Sequence, residues 1–209
     1  MNKGMRRKLM PEVGLADLHI HSRFSDGVSS IKCILDYVER QTPLDVIAIT
    51  DHNTTKGAVL AASLQDRYSF EIVVGEEIMT ESGEIIGLFL EEEIKQGLPP
   101  ERTIELIHEQ GGLAIAPHPF ALPVSLIGGV GVGFKGIRAL DLDGYEELNS
   151  NPTTFYSNFL SRLLVRPLGG LSRLGGSDAH TMRSIGAAAT AFRGRTAADL
   201  RRCIESRAT

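Results

Sequence analysis

Two histidines stand two residues apart in the run DLHIHSRFSDG (17–27), and Asp26 follows on the polar stretch behind them. In an extended chain, positions i and i+2 share a face. His19 and His21 therefore point the same way, with Ile20 packing on the opposite side, and the pair can chelate one ion from one direction. Related residues recur along the chain: Asp51 and His52 after VIAIT, Glu76 and Glu77 after IVVG, His118 after LAIAP, and Asp178 and His180 after RLGGS. These runs hold five of the six histidines; the sixth, His108, lies inside a helical pattern and reads as a surface residue. Imidazoles and carboxylates without thiolates suit zinc, manganese or iron better than calcium or magnesium. The set exceeds the roughly four donors that one transition-metal ion takes, so two or three ions are expected, with a carboxylate bridging a pair. Any one of these histidines, taken alone, reads as an ordinary hydrogen-bonded polar residue. The inference rests on their recurrence.

Donors spread from residue 19 to residue 180 need a frame that gathers them. The chain alternates apolar runs of strand length (GLADLHI, DVIAIT, FEIVVG, EIIGLFL, LAIAP, LSRLGGS) with helical patterns. In SSIKCILDYVERQ, Ile31, Ile34, Leu35 and Val38 fall at helical spacing behind an N-capping serine. PPERTIELIHEQGG places Pro100 in a first turn and Gly111 at a C-terminus; TTFYSNFLSRLLV and TAADLRRCIESR, capped by Thr196, read as further helices. Continuous apolar strands between helices predict a parallel sheet covered on both faces. In a barrel of parallel strands every C-terminal end opens on one face, where the chemistry sits. The donors follow the strands, so one polar, ligand-rich mouth is expected.

The bulk numbers agree with a single packed domain over 1–209, with 1–13 peripheral or disordered. Of 209 residues, 42% are hydrophobic and 23% charged, and the net charge of −4 gives no basic field to attract nucleic acid or an anionic membrane. The basic start MNKGMRRKLM lacks the apolar core of a signal peptide, and the longest apolar run, VSLIGGVGVGF, is short and broken by glycines. Two distant cysteines, Cys33 and Cys203, form no disulfide framework. A cytoplasmic location is expected.

The motifs in order resemble those of the PHP (polymerase and histidinol phosphatase) family: DLHIHSRFSDG, AITDHNT, GEEI, IAPHPF and GGSDAH. The resemblance runs from about Leu15 to about Phe192. It implies a distorted (β/α)7 TIM-like barrel, the PHP fold, and a stand-alone metal-dependent phosphoesterase with a trinuclear centre. Carried over position by position, His19, His21 and Asp178 bind a first ion, and Glu77, rather than Glu76, bridges it to a second. His118 binds the second ion; Asp26, His52 and His180 hold the third. One position departs: family members often carry histidine where Glu84 stands in IIGLFL's approach, so Glu84 is the expected, altered ligand of the second ion.

The resemblance further implies hydrolysis of a small phosphorylated substrate, a nucleotide being one candidate, by a metal-bound hydroxide. Four bound carboxylates against three divalent ions leave about two positive charges, which suits a phosphoryl group. His180 or His52 is expected near the leaving group, with Asp51 as an outer acid and Asp17 orienting a ligand histidine. Arg23, Arg138 and Arg183 are candidate phosphate clamps, and Glu146 and Asn149 of YEELN candidate pocket residues. The glycine-rich run IGGVGVGFKG (127–136) reads as a mobile loop over the mouth. Two rivals stand beside the esterase: a non-catalytic, metal-stabilised module, and a hydrolase of another ester or an amide. Oligomeric state is not legible.

Overall fold

The computed structural model describes residues 12–122 and 130–209. Residues 1–11, most of the expected peripheral segment, and Ile127, Gly128 and Gly129 of the glycine-rich run lie outside the described residues; Val13 already opens the first strand.

Eight strands form one sheet in the order β7-β6-β5-β4-β3-β2-β1-β8. They are β1 (Val13–Asp17), β2 (Val46–Ile49), β3 (Glu71–Thr80), β4 (Gly83–Leu88), β5 (Leu113–Ala116), β6 (Gly144–Asn149), β7 (Ser172–Gly176) and β8 (Thr190–Arg193). β1–β2–β3 and β5–β6–β7 pair in parallel. The sheet curls into a nearly closed, distorted TIM-like barrel. Its seam lies just past the ends of β1 and β7, where Ile20 bridges Ala179: the His21 amide donates to the Ala179 carbonyl at 3.0 Å, and the Ala179 amide to the His19 carbonyl at 3.2 Å.

Two strands depart from the expected all-parallel ring. β4 is antiparallel to both β3 and β5, and β8 runs antiparallel to β1 at the base of the seam. The short link between β3 and β4 forces the first reversal, since parallel neighbours need a crossover. β3 changes partner at its middle, pairing with β2 up to Val74 and with β4 from Gly75. A Cβ on Gly75 would lie 2.9 Å from the Thr50 side chain and 3.1 Å from the Gly87 carbonyl, so this pivot needs glycine.

Helices cover the outside: α1 (Ile31–Gln41), α2 (Lys56–Ala62), α3 (Pro100–Glu109), α4 (Gly133–Ala139), α5 (Phe155–Leu160) and α6 (Ala197–Glu205). The Ser30 hydroxyl accepts from the Cys33 amide to cap α1, and Thr196 with Asp199 forms a capping box on α6. Gly111 takes φ +72 behind α3, as a C-terminal stop does. α5 is shorter than expected: it passes into a π-type turn (Ser161–Val165) and a tight turn (Arg166–Leu168), where Pro167 ends α-helical geometry. α4 begins inside the run expected to be wholly loop and continues past it to Ala139.

The core has three parts. Ala16, Leu18, Val46, Ala48, Val73, Ile86, Leu88, Ile115 and Leu174 fill the barrel, closed below by Phe192, Leu200 and Ile204. α1 and α2 pack on one flank through Ile34, Leu35, Val38, Ala58 and Ala61. α3 and α4 pack on the other through Ile104, Ile107 and Ile137. No helix among the described residues is long and apolar enough to cross a membrane.

Candidate metal centre

Strand direction places each donor. His19 and His21 follow β1, His52 follows β2, His118 follows β5, and Asp178 and His180 follow β7. Glu77 lies on the upper half of β3. Glu84 stands at the start of β4, and the antiparallel run of that strand brings its beginning to the same rim where the parallel strands end.

All nine expected ion ligands converge. Glu77 is at the centre: its Oε2 lies 3.2 Å from His19 Nε2, 3.3 Å from His21 Nε2 and 3.2 Å from His52 Nδ1, and its Oε1 lies 3.2 Å from His118 Nε2. Asp178 Oδ1 lies 3.3 Å from His21 Nε2, 3.6 Å from His19 Nε2 and 3.5 Å from His180 Nδ1. Asp26 meets His180 Nε2 at 3.0 Å, His21 Nδ1 at 3.6 Å and His52 Nε2 at 3.7 Å. Glu84 reaches His52 Nδ1 at 3.5 Å through Oε1.

The donors form overlapping groups, each spanning no more than 4.8 Å: His19, His21 and Glu77; His19, His118 and Asp178; His52, Glu77 and Glu84; and His21, Asp26, His52 and His180. Bonds of ~2.0–2.2 Å to a tetrahedral ion put neighbouring donors roughly 3.3–3.6 Å apart, close to the separations here. His52 belongs with Glu77 and Glu84 as well as with Asp26 and His180, so its place is not confined to the third ion's group. The inner donors are buried, whereas His52 and His180 are half-buried and Asp26 is exposed. The cluster is thus open on one side.

Several donor atoms lack partners. Both ring nitrogens of His21, Nδ1 of His52, Nδ1 of His118 and Oε1 of Glu84 are buried without a hydrogen bond. Burying such atoms unpaired costs ~1–3 kcal/mol each; lone pairs aimed at cations remove that cost for the ligating atoms. The electrostatics point the same way. Burial disfavours the imidazolium of His19, but the charges of Glu77, Glu146 and Asp178 outweigh it and hold its pKa well above the usual value. His118 is likewise raised to about 9 against burial, by Glu77. Burial raises Glu84 to about 7, and the Glu77 charge adds to the effect. The pocket calls for positive charge, and without ions protonated imidazoles supply it. The donor set, its spacing and its charge fit divalent ions.

The backbone is strained at two donors. Asp178 has φ +53 and His118 φ +24, conformations that cost residues with a Cβ ~1–3 kcal/mol and collect at functional sites.

The supporting layer differs from expectation. Glu146 and Asn149 do not line an open pocket; both are buried behind the donors. The Glu146 carboxylate takes His19 Nδ1 at 2.9 Å, the His118 amide at 2.9 Å and Asn149 Nδ2 at 2.8 Å. It is therefore the group that orients a histidine, the role expected of Asp17. Asp17 instead accepts from the amides of Ser177 (2.9 Å) and Gly186 (2.8 Å), tying the β7 loop to β1. Asp51 does not face the cluster: its oxygens are taken by the Ser22 amide and hydroxyl and the Ser25 hydroxyl. Gly176 completes this layer, since a Cβ there would collide with the Glu146 carboxylate and lie 2.8 Å from His19 Cβ.

The expected arginine clamps are scattered. Arg23 is exposed and donates from Nε to the Val28 carbonyl at 2.7 Å, bracing the 22–28 loop. Arg183 is exposed on the turn past His180. Arg138 is on the last turn of α4, beside Gly169 and Gly170 ahead of β7, at the far end of the barrel from the donors. His108 pairs with Asp143 at 2.9 Å, away from the cluster. Sequence reasoning missed Ser22, Ser25 and Asn151, whose amide reaches Asp178 Oδ2 at 3.1 Å. Only their proximity to motif residues hinted at them. Beside Asp178 and His180, a cleft of about 170 Å³ is lined by Ser150, Asn151, Thr181 and Ser184.

The family profile described as PHP-associated matches residues 158–209. An uncharacterized protein of Methanocaldococcus jannaschii is 47% identical over 146 residues, covering 65% of this chain and 81% of that protein. The phosphoribosyl 1,2-cyclic phosphate 1,2-diphosphodiesterase of Eggerthella lenta is 33% identical over 84 residues, 37% of this chain and 32% of the enzyme. Among solved structures, a two-domain Bacteroides vulgatus protein containing a predicted PHP-like metal-dependent phosphoesterase superposes with a TM-score of 0.71 at 18% identity, covering 93% of this chain and 63% of that one. The lesion-specific endonuclease Q of Pyrococcus furiosus superposes with a TM-score of 0.66 at 15% identity, covering 93% of this chain and 56% of the endonuclease. This chain thus spans less than two thirds of both solved structures and about a third of the Eggerthella enzyme.

Proposed function

This chain belongs to the PHP family, and on that premise we propose that it is a metal-dependent phosphoesterase whose 209 residues form a single domain around a di- or trinuclear centre. The observation that carries the reading is the convergence of nine imidazole and carboxylate side chains, Glu77 and Asp178 among them, with buried ring nitrogens left without hydrogen-bond partners. His19, His21, Asp178 and Glu77 would hold one ion; Glu77, Glu84 and His118 a second; Asp26, His52 and His180 a third. Zinc, manganese and iron suit these donors. When bound, such ions bring the pKa of a coordinated water toward neutrality and neutralise phosphoryl oxygens.

The chain's own groups do the rest. Glu146 holds His19 with Nδ1 engaged and Nε2 turned inward. Asp178, strained at its φ and gripped by the amides of Asn149 and Asn151, is fixed against His21. His52 and His180 stand on the open side, where a substrate enters, and are the side chains nearest a departing oxygen. The adjoining polar cleft of about 170 Å³, walled by Ser150, Asn151, Thr181 and Ser184, suits a small hydroxyl-bearing leaving group, so a small phosphorylated molecule is the proposed substrate. The Eggerthella relative acts on a cyclic phosphodiester by its name, which places diesters beside monoesters in the test panel.

The test is metal analysis of the purified protein, followed by hydrolysis of phosphate mono- and diesters with manganese, zinc and iron. Turnover that needs an ion and disappears in His19→Ala and in Asp178→Ala is expected. Bound metal without turnover of any ester would assign a metal-stabilised module instead. Turnover of amides alone would assign another hydrolase.

A further inference from the structure

A second polar cleft lies far from the donors. Its volume is about 290 Å³, and Tyr145, Arg166, Arg173, Arg207 and the backbone of Gly169 and Gly170 form its walls. Tyr145 and Arg173 are register partners near the beginnings of β6 and β7, whereas the candidate centre stands past the ends of those strands. The two sites are therefore at opposite ends of the sheet.

The charges here are not balanced. Glu147 accepts from the Tyr145 hydroxyl at 3.2 Å and lies 3.8 Å from Arg162 Nε and 4.0 Å from Arg166 Nη1. That one carboxylate is thus shared by three donors. Arg173 and Arg207 have no carboxylate within 4 Å among the described residues. The neighbouring Asp143 is engaged elsewhere, by His108 and the Ala114 amide. Three guanidinium groups around one small cleft repel each other unless an anion joins them, and this excess stands out on a chain of net charge −4. Gly169 and Gly170 both have positive φ, +64 and +86, and a Cβ on either would meet nothing within 4 Å. The turn therefore leaves bare backbone on the cleft wall, where a ligand can approach closely. Past this turn the groove continues into a hollow of about 270 Å³ walled by Ile137, Val165, Leu168 and Leu171, with Arg138 at its margin.

We propose that this groove binds the phosphate group of a small molecule, held by Arg166, Arg173 and Arg207 and separate from the candidate metal centre. Guanidinium forks match phosphate oxygens in pairs, and the apolar hollow next to them accommodates an organic substituent. The inference does not depend on the ion-dependent reading of the mouth.

The test is amide NMR of the metal-loaded protein, titrated at fixed ionic strength with inorganic phosphate and with phenylphosphonate, which carries an apolar ring and no hydrolysable ester. Saturable shifts at Gly169, Gly170 and Leu171 are expected, weakened roughly tenfold or more in Arg173→Gln/Arg207→Gln, as loss of charge-assisted hydrogen bonds implies. Asp178→Asn should leave these shifts in place, and Arg173→Gln/Arg207→Gln should leave ester turnover unchanged when no inorganic phosphate or phenylphosphonate is added. Tighter binding of phenylphosphonate would show that the hollow receives the substituent; equal binding would identify free phosphate as the ligand. Absence of saturation, equal shifts with sodium chloride, undiminished binding in the double variant, or loss of the shifts in Asp178→Asn would each overturn the proposal.

Discussion

Replacing Glu146 with glutamine removes a charge and turns one buried oxygen into an NH2 group while keeping the volume. The carboxylate accepts from three donors, the His19 ring, the His118 amide and the Asn149 side chain, all within 2.9 Å. Glutamine offers one acceptor oxygen. If that oxygen stays with His118 and Asn149, the new NH2 faces His19 Nδ1, and the imidazole must move its proton to Nε2. That is the atom 3.2 Å from Glu77 and 3.6 Å from Asp178, so His19 loses the lone pair it turns toward the ion. Loss of a group that orients a metal-binding histidine lowers affinity ~10–100-fold, or about 1.4–2.7 kcal/mol. Alanine is less informative: it orphans three buried donors at ~1–3 kcal/mol each, a large share of the ~5–15 kcal/mol that holds a domain together. The assay is competition of parent and variant against a fluorescent chelator for zinc and manganese, with circular dichroism to confirm folding. A folded Glu146→Gln protein that binds both ions with the parent's affinity would refute the reasoning, because His19 would then owe its orientation to something else.

Gly176→Ala pushes a methyl group into the Glu146 carboxylate and toward His19; metal content and melting temperature should both fall, and a variant with parental values of both would contradict the packing described. In the metal-free protein, His118 and His180 titrate at about 9, so the stability they contribute is complete below ~6.5 and lost as pH rises through their folded values. Melting temperature after chelation should therefore drop between about pH 7 and about pH 9, and ion binding at pH 7 should release protons, measurable by calorimetry in buffers of different ionisation heat. Glu84→His keeps a donor near His52 but removes the acceptor of the Val130 amide (2.8 Å); metal loading should be retained while stability falls by ~1–3 kcal/mol, and a clear fall in loading would remove position 84 from the donor set.

The barrel and its mouth were legible because ligand-bearing residues follow buried apolar strands, a pattern that local spacing alone displays. The direction of β4 is legible too, in the position of its ligand. Glu84 begins its strand whereas the other donors lie in the later half of theirs or follow them, and only an antiparallel strand carries such a residue to the shared rim. Strand β8 was missed although TAFR alternates: Thr190 and Phe192 are buried, Ala191 and Arg193 exposed. Four residues are too few to outweigh the turn signals around them. Roles behind the donors were harder. Asp17, Asp51 and Glu146 are all buried acids beside motif residues, and which of them meets an imidazole depends on side-chain direction across neighbouring strands. Arg138 failed as a clamp because α4 carries it to the opposite end of the barrel.

The first and last strands of the ring meet in the segments that bear the donors: the bonds joining them run through His19, His21 and Ala179, beside Asp178. Cation occupancy and the circumference of the barrel are therefore fastened by the same clasp. Stripping the ions should loosen that junction before the rest of the wall, so the amide hydrogens of His21 and Ala179 would be the first of the barrel's bonded set to exchange with deuterium.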